Sequence, residues 1–130
     1  MPVLYKTWAD LDIAFLAHPN TGHLVVKNNA DSIVRSIRQL LLTNHYERPF
    51  HPEIGSNLAA QLFEPMTYAT SLRVRDTVIE TINNFEPRAR VIKLDVHPQY
   101  DQNSYLIDLT FAILNEDAER KTSFLLERTR

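Results

Sequence analysis

A chain of 130 residues with a formal net charge of −2 suits one domain, residues 1–130, with little general attraction for nucleic acid or anionic lipid. It has no cysteine, which excludes thiol catalysis, cysteine zinc sites and disulfides. Its two glycines, Gly22 and Gly55, cannot form a dinucleotide or phosphate-binding loop, and the serine-hydrolase elbow is absent.

No apolar run is long enough to span a bilayer, and Asp10 and Asp12 interrupt the stretch a signal peptide would need. The expectation is a soluble intracellular protein.

In chain order, residues 11–27 read as a short hairpin. Ile13 and Phe15 alternate with polar or small neighbours, Pro19-Asn20-Thr21-Gly22 supplies the turn, and Leu24-Val25-Val26 returns. Residues 28–43 read as a helix capped by Asn28 or Asn29. Ala30, Ile33, Val34, Ile37, Leu40 and Leu41 form its apolar stripe, with Arg35 and Arg38 outside it.

The segment NHYERPFHPEIGS, residues 44–56, ends this helix. Pro49 and Pro52 remove amide donors and push Arg48 and His51 toward extended conformations; Gly55 permits positive φ. Ser56 is placed to cap a short helix over residues 57–63, which Pro65 ends. A longer helix follows over residues 67–85, with Thr67 as its cap and Leu72, Val78, Ile79, Ile82 and Phe85 mostly on one face.

After Pro87 the period changes to two. Ile92, Leu94 and Val96 face one way, and Lys93, Asp95 and His97 the other. Tyr105, Ile107, Leu109, Phe111 and Ile113 alternate in a second strand, and residues 121–130 form a third. Antiparallel neighbours are the economical arrangement. The predicted fold class is α+β: an N-terminal hairpin and helices packed on a small, mainly antiparallel sheet with an open edge.

Candidate chemistry is sparse. His45 and His51, flanked by Glu47 and Glu53, are of the right type for a metal, but their spacing matches no helical ligand pair. Glu47, Glu53, Glu64 and Glu86 lie near turns, where paired carboxylates could hydrolyse a glycoside; a solvated or ion-paired role is the ordinary reading. Arg73, Arg75, Arg88, Arg90 and Lys93 are interspersed with Glu80, Glu86 and Asp95, a mixed surface rather than a nucleic-acid face. Glu86-Pro87-Arg88 reads first as a helix stop. Its functional reading is a rigid hook offering opposite charges to a partner.

Taken together, Arg48-Pro49-Phe50-His51-Pro52-Glu53-Ile54-Gly55-Ser56, followed about thirty residues later by Glu86-Pro87-Arg88 and a three-strand tail, resemble the small baseplate wedge protein of contractile phage tails. That family includes a baseplate component of type VI secretion systems. The resemblance implies a fold like the interlocking domain of the tail sheath protein, with no cofactor and no metal. It implies a structural role in a tail baseplate assembled in a bacterial cytoplasm, without nucleic acid or membrane as partner. Glu86, Pro87 and Arg88 would dock on the helical core bundle of other wedge proteins. An open sheet edge would receive strands from the tail sheath protein and start its assembly, with tube-proximal baseplate proteins as further neighbours. Arg48, Pro49, Phe50, His51, Pro52, Glu53, Ile54 and Gly55 would be a loop scaffold, with Pro49, Phe50, Pro52 and Ile54 packing and Arg48 and Glu53 making polar ties. Some family members are catalogued as lysozymes, so peptidoglycan hydrolysis is the alternative activity.

Overall fold

The structure is a computed structural model that describes residues 9–11, 14–24, 26–114, 116 and 118–128. Strands β1 (Ala9–Leu11) and β2 (Val26–Asn28) pair antiparallel, Ala9 opposite Asn28. Inside this hairpin the residues at 18–23 turn tightly: the His18 amide donates to the His23 carbonyl at 2.7 Å and the Gly22 amide to His18 at 2.9 Å. Gly22 takes a φ of +70°, as the turn sequence predicts. Ile13 and Val25 lie outside the described residues.

Helix α1 (Asn29–Leu42) buries Ile33, Ile37, Leu40 and Leu41, with Ala30 and Val34 packed at the margin of the core. Its stripe is the one its period predicts. Helix α2 (Leu58–Leu62) is a short brace that buries Leu58. Ser56 does not cap it. The Ser56 amide donates to the Thr43 carbonyl and its hydroxyl to the Leu41 carbonyl, both at 2.8 Å, so it fastens the end of α1 instead. A side chain turned back toward α1 cannot also serve the first amides of α2.

Helix α3 (Tyr68–Phe85) starts at Thr67, whose hydroxyl accepts the Thr70 amide at 3.2 Å. It buries Val74, Val78 and Ile82 together with the small polar residues Thr70, Ser71 and Thr81. The Ser71 and Thr81 hydroxyls donate to carbonyls one turn back, so they enter the core without orphaned donors. Leu72 belongs to a more exposed face than the period suggests.

The sheet comprises β3 (Ala89–Gln99), β4 (Ser104–Ile113) and β5 (Glu119–Glu127), in that order and antiparallel throughout. A single 3-10 turn and Asn103, at φ 48°, reverse the chain between β3 and β4. Helix α3 lies against β3, and α1 against α3. Tyr105, Ile107, Leu109 and Phe111 of β4 form the sheet's buried ridge, joined by Leu94 from β3 and Phe124 and Leu126 from β5. Each large side chain buried there contributes roughly 1.5–3 kcal/mol relative to exposure.

One position departs from the alternation. The register slips between Val91 and Lys93, so Val91 pairs with Phe111 and packs against the core while Ile92 is 44% exposed. The extra residue of a β-bulge shifts every side chain on one side of it to the opposite face. Leu94 and Val96, beyond the bulge, keep their predicted inward face.

Candidate partner-docking site

At the junction of α3 and β3, Glu86 ends the helix. Its amide still donates to the Ile82 carbonyl at 2.9 Å, and its carbonyl accepts the Ala89 amide at 3.2 Å. Proline next in the chain has no amide to continue the helix and restricts the residue before it to a non-helical backbone, here φ −126° and ψ 75°.

This backbone turns Glu86 inward. The residue is 2% exposed, and Arg88 reaches around Pro87 to hold it with two parallel bonds, Nε to Oε1 at 2.6 Å and Nη2 to Oε2 at 2.9 Å. The Arg88 side chain is 21% exposed. Burial alone would raise the Glu86 pKa. The bonds from Arg88 and Ser36, with the Arg88 charge, outweigh that and hold the carboxyl below its ordinary value. Ser36 lies on α1, so the fork also ties the two long helices together. Glu86 and Arg88 are spent largely on each other, and Pro87 is the exposed member of the three.

The loop at 44–56 sits nearby. Its ends are clamped by a parallel bridge between Asn44 and Ser56. The Asn44 amide and side-chain nitrogen both donate to the Glu47 carboxylate, at 3.1 and 2.7 Å, and the Tyr46 amide donates to Pro52 at 2.9 Å. Gly55 is buried at φ +128°, where a Cβ would stand 2.5 Å from the Thr43 carbonyl oxygen, so only glycine fits.

The packing expected of this loop holds only in part. Ile54 is half-buried and lines a depression of about 180 Å³ with Ser36, Leu40, Arg48 and Phe85. Pro49 and Pro52 are exposed, and Phe50 is 97% exposed. Phe50 does not pack: it stands in solvent on a left-handed backbone, at φ 69°. His51 Nδ1 lies 3.2 Å from the Glu53 carboxylate. That carboxyl is held below its ordinary pKa, first by its own backbone amide and then by His51. Among the described residues no carboxylate pairs with the Arg48 guanidinium.

The remaining candidates stay apart. Glu64 pairs with Arg73 at 3.0 Å. On the outer face of the sheet, Lys93 binds Asp95 at 2.6 Å, and Ser123 donates to Asp108 at 2.6 Å. Among the described residues no three of His, Asp or Glu converge as metal ligands, and no helix is long and apolar enough to cross a membrane.

The fold matches a Geobacter sulfurreducens protein provisionally described as a tail lysozyme, with TM-score 0.74, 20% identity, and 82% of this chain and 96% of that one covered. It also matches a chain of the anti-feeding prophage baseplate (TM-score 0.64, 17% identity, 95% and 87% covered) and one of the post-contraction pyocin R2 baseplate (0.59, 20%, 84% and 99%). The fold is therefore one used in the baseplates of contractile particles. At the sequence level, the family described as baseplate wedge protein gp25 matches residues 27–118. The chain is also 33% identical over 84 residues to baseplate wedge protein gp25 of Enterobacteria phage T4, an alignment covering 65% of this chain and 64% of that relative's length. The chain belongs to the family described as baseplate wedge protein gp25, and its alignment spans just under two thirds of the length of the phage T4 relative.

Proposed function

We propose that this protein docks on the helical core bundle of the wedge through the Glu86–Pro87–Arg88 corner and starts sheath assembly from an edge of its sheet. The observation that carries the docking reading is the locked fork. A buried carboxylate held by Arg88 fixes the α3–β3 corner in one conformation, so Pro87 and the flank of the guanidinium are presented without an ordering cost.

The edge reading rests on topology. Among the described strands, β3 and β5 each pair on one side only. Strand β3 carries a bulge and Pro98, both of which discourage strand addition. Strand β5 has neither over its nine residues, and we assign it to the sheath. Tube-proximal baseplate proteins are further neighbours, and assembly takes place in a bacterial cytoplasm.

The role is structural rather than enzymatic. A glycosidase needs a carboxyl kept protonated as general acid, with its pKa raised. Glu47, Glu53, Glu64 and Glu86 each have a polar partner, and the two resolved shifts, at Glu53 and Glu86, are downward. A likeness of 20% identity to the Geobacter protein extends to the fold alone.

The test is co-assembly with the wedge and sheath proteins encoded beside this chain, followed by sedimentation and electron microscopy. Wild type should enter the wedge and seed sheath, and a folded Pro87→Ala/Arg88→Gln variant should do neither. Equal incorporation of that variant would overturn the docking role. Clearing of peptidoglycan in a zymogram would overturn the structural one.

A further inference from the structure

We propose that the cleft between α3 and β3 is a second docking site, which takes an extended segment of a neighbouring baseplate protein as an added strand on the β3 edge. This rests on the wedge-docking reading and gives a partner to the sheet edge that is not assigned to the sheath.

The shape of the cleft carries it. One wall is a stripe of α3, where Tyr68, Leu72, Arg75, Ile79 and Asn83 follow one another at helical spacing. From Tyr68 to Asn83 that stripe runs about 22 Å. The other wall is β3 itself. Every residue at 91–96 lines it, whichever face of the sheet its side chain takes, so the cleft follows the edge of the strand. Among the described strands β3 pairs only with β4, and its other side offers main-chain donors and acceptors to the cleft. A space of about 570 Å³ bounded by a helix stripe and an open strand edge fits an extended chain rather than a compact ligand.

The side chains agree. Leu72 and Ile92, both more exposed than their patterns predict, line this cleft together with Tyr68 at 79% and Tyr100 at 63% exposure. The bulge in β3 is what brings Ile92 there. Bulge and Pro98 also frame the slot, because between them the register is regular over residues 93–97, about 17 Å of edge. A long strand is kept off, and a segment of about five residues is held in one register. Charge does not select the occupant. The charged residues of the cleft are Arg75, Lys93 and Asp95; Lys93 is bound to Asp95 at 2.6 Å, and Arg75 acts on the same carboxylate. The occupant is therefore recognised by its main chain and by apolar side chains at alternate positions, which fall between β3 and α3.

The experiment measures binding of the full chain to the reconstituted wedge proteins by biolayer interferometry, with thermal melts in parallel. Amide hydrogen exchange is followed on the chain alone, with the wedge proteins and with the sheath protein. On the wedge, those amides of residues 93–97 that face away from β4 should exchange at least tenfold more slowly than in the free chain. Leu72→Gln/Ile92→Thr keeps the helix and strand preferences while removing apolar surface, so it should melt with wild type and bind at least tenfold more weakly. If that variant binds within twofold of wild type, while Pro87→Ala/Arg88→Gln does not bind, this site is overturned and the fork reading stands. Weakened binding without added protection at 93–97 overturns the added strand. Protection that appears in the chain alone, with a dimer in sedimentation, or only with the sheath protein, overturns the choice of occupant. Wild type that ignores the wedge overturns both readings.

Discussion

Arg88 grips both oxygens of Glu86 from the far side of a single proline, at 2.6 and 2.9 Å, and leaves that carboxylate 2% exposed. Removing the guanidinium strands a buried charge. Arg88→Ala should therefore destabilise the fold by about 2–4 kcal/mol, toward the lower end of what breaking a buried pair costs because Arg88 keeps some solvent contact. Replacing both partners, as Glu86→Gln/Arg88→Gln, should cost less than Arg88→Ala alone. Urea denaturation of wild type and the two variants checks the order. It also decides which variants are sound enough for assembly work.

The same pair sets an acid limit. The folded pKa of Glu86 lies below its ordinary 4.5, because Arg88 and Ser36 outweigh desolvation. A group with a depressed folded pKa stabilises fully above its unfolded value, and that contribution is lost as pH falls through the folded value. Stability should decline on acidification below about pH 4.5, and Glu86→Gln should show a shallower decline. Urea midpoints taken between about pH 7 and about pH 3 measure both slopes. Equal slopes would mean that other carboxyls carry the acid transition.

Gly55 is the tightest point of the loop. A methyl group there meets the Thr43 carbonyl at 2.5 Å, and that carbonyl already accepts the Ser56 amide. Gly55→Ala should cost about 2–4 kcal/mol, combining positive-φ strain with a backbone clash. Gly22→Ala is the control, at φ +70° with open space around it, and should cost only about 1 kcal/mol. Thermal melts separate the two.

Much of this architecture could be read from residue order. The stripe of α1, the Thr67 cap, the turn at Gly22 and the inward set of β4 are local patterns, and local patterns survive folding. What escaped was set by contacts distant in sequence or by a single backbone angle. Ser56 looked like a cap, but the carbonyls of α1 were nearer. Phe50 has the composition of a packing residue, yet it stands exposed on a left-handed backbone that residue order does not reveal. Glu86 looked like a surface charge until the fold brought Ser36 and Arg88 to it.

Removing residues 124–130 tests the sheet order. Phe124 pairs with Ile107 and Leu126 with Tyr105, and all four are buried. Their loss opens the flank of β4 and removes two large apolar side chains, at about 3–5 kcal/mol for Phe and about 2–5 kcal/mol for Leu even as single truncations to Ala. A domain of ordinary stability does not withstand that sum. The truncated chain should lack a cooperative thermal transition by circular dichroism.

The bulge in β3 makes the last prediction. Strict alternation would put Ile92 in the core beside Leu94, and its loss would then cost what any buried Ile costs. The register slip between Val91 and Lys93 leaves Ile92 44% exposed and gives its inward place to Val91. Ile92→Ser should therefore change stability by less than about 1 kcal/mol, while Leu94→Ala, two residues on and 5% exposed, should lose about 2–4 kcal/mol. Urea denaturation of both variants measures the difference. If Ile92→Ser costs as much as Leu94→Ala, the strand runs without a bulge, Ile92 points inward, and the outer face of β3 carries a different set of side chains from the one described.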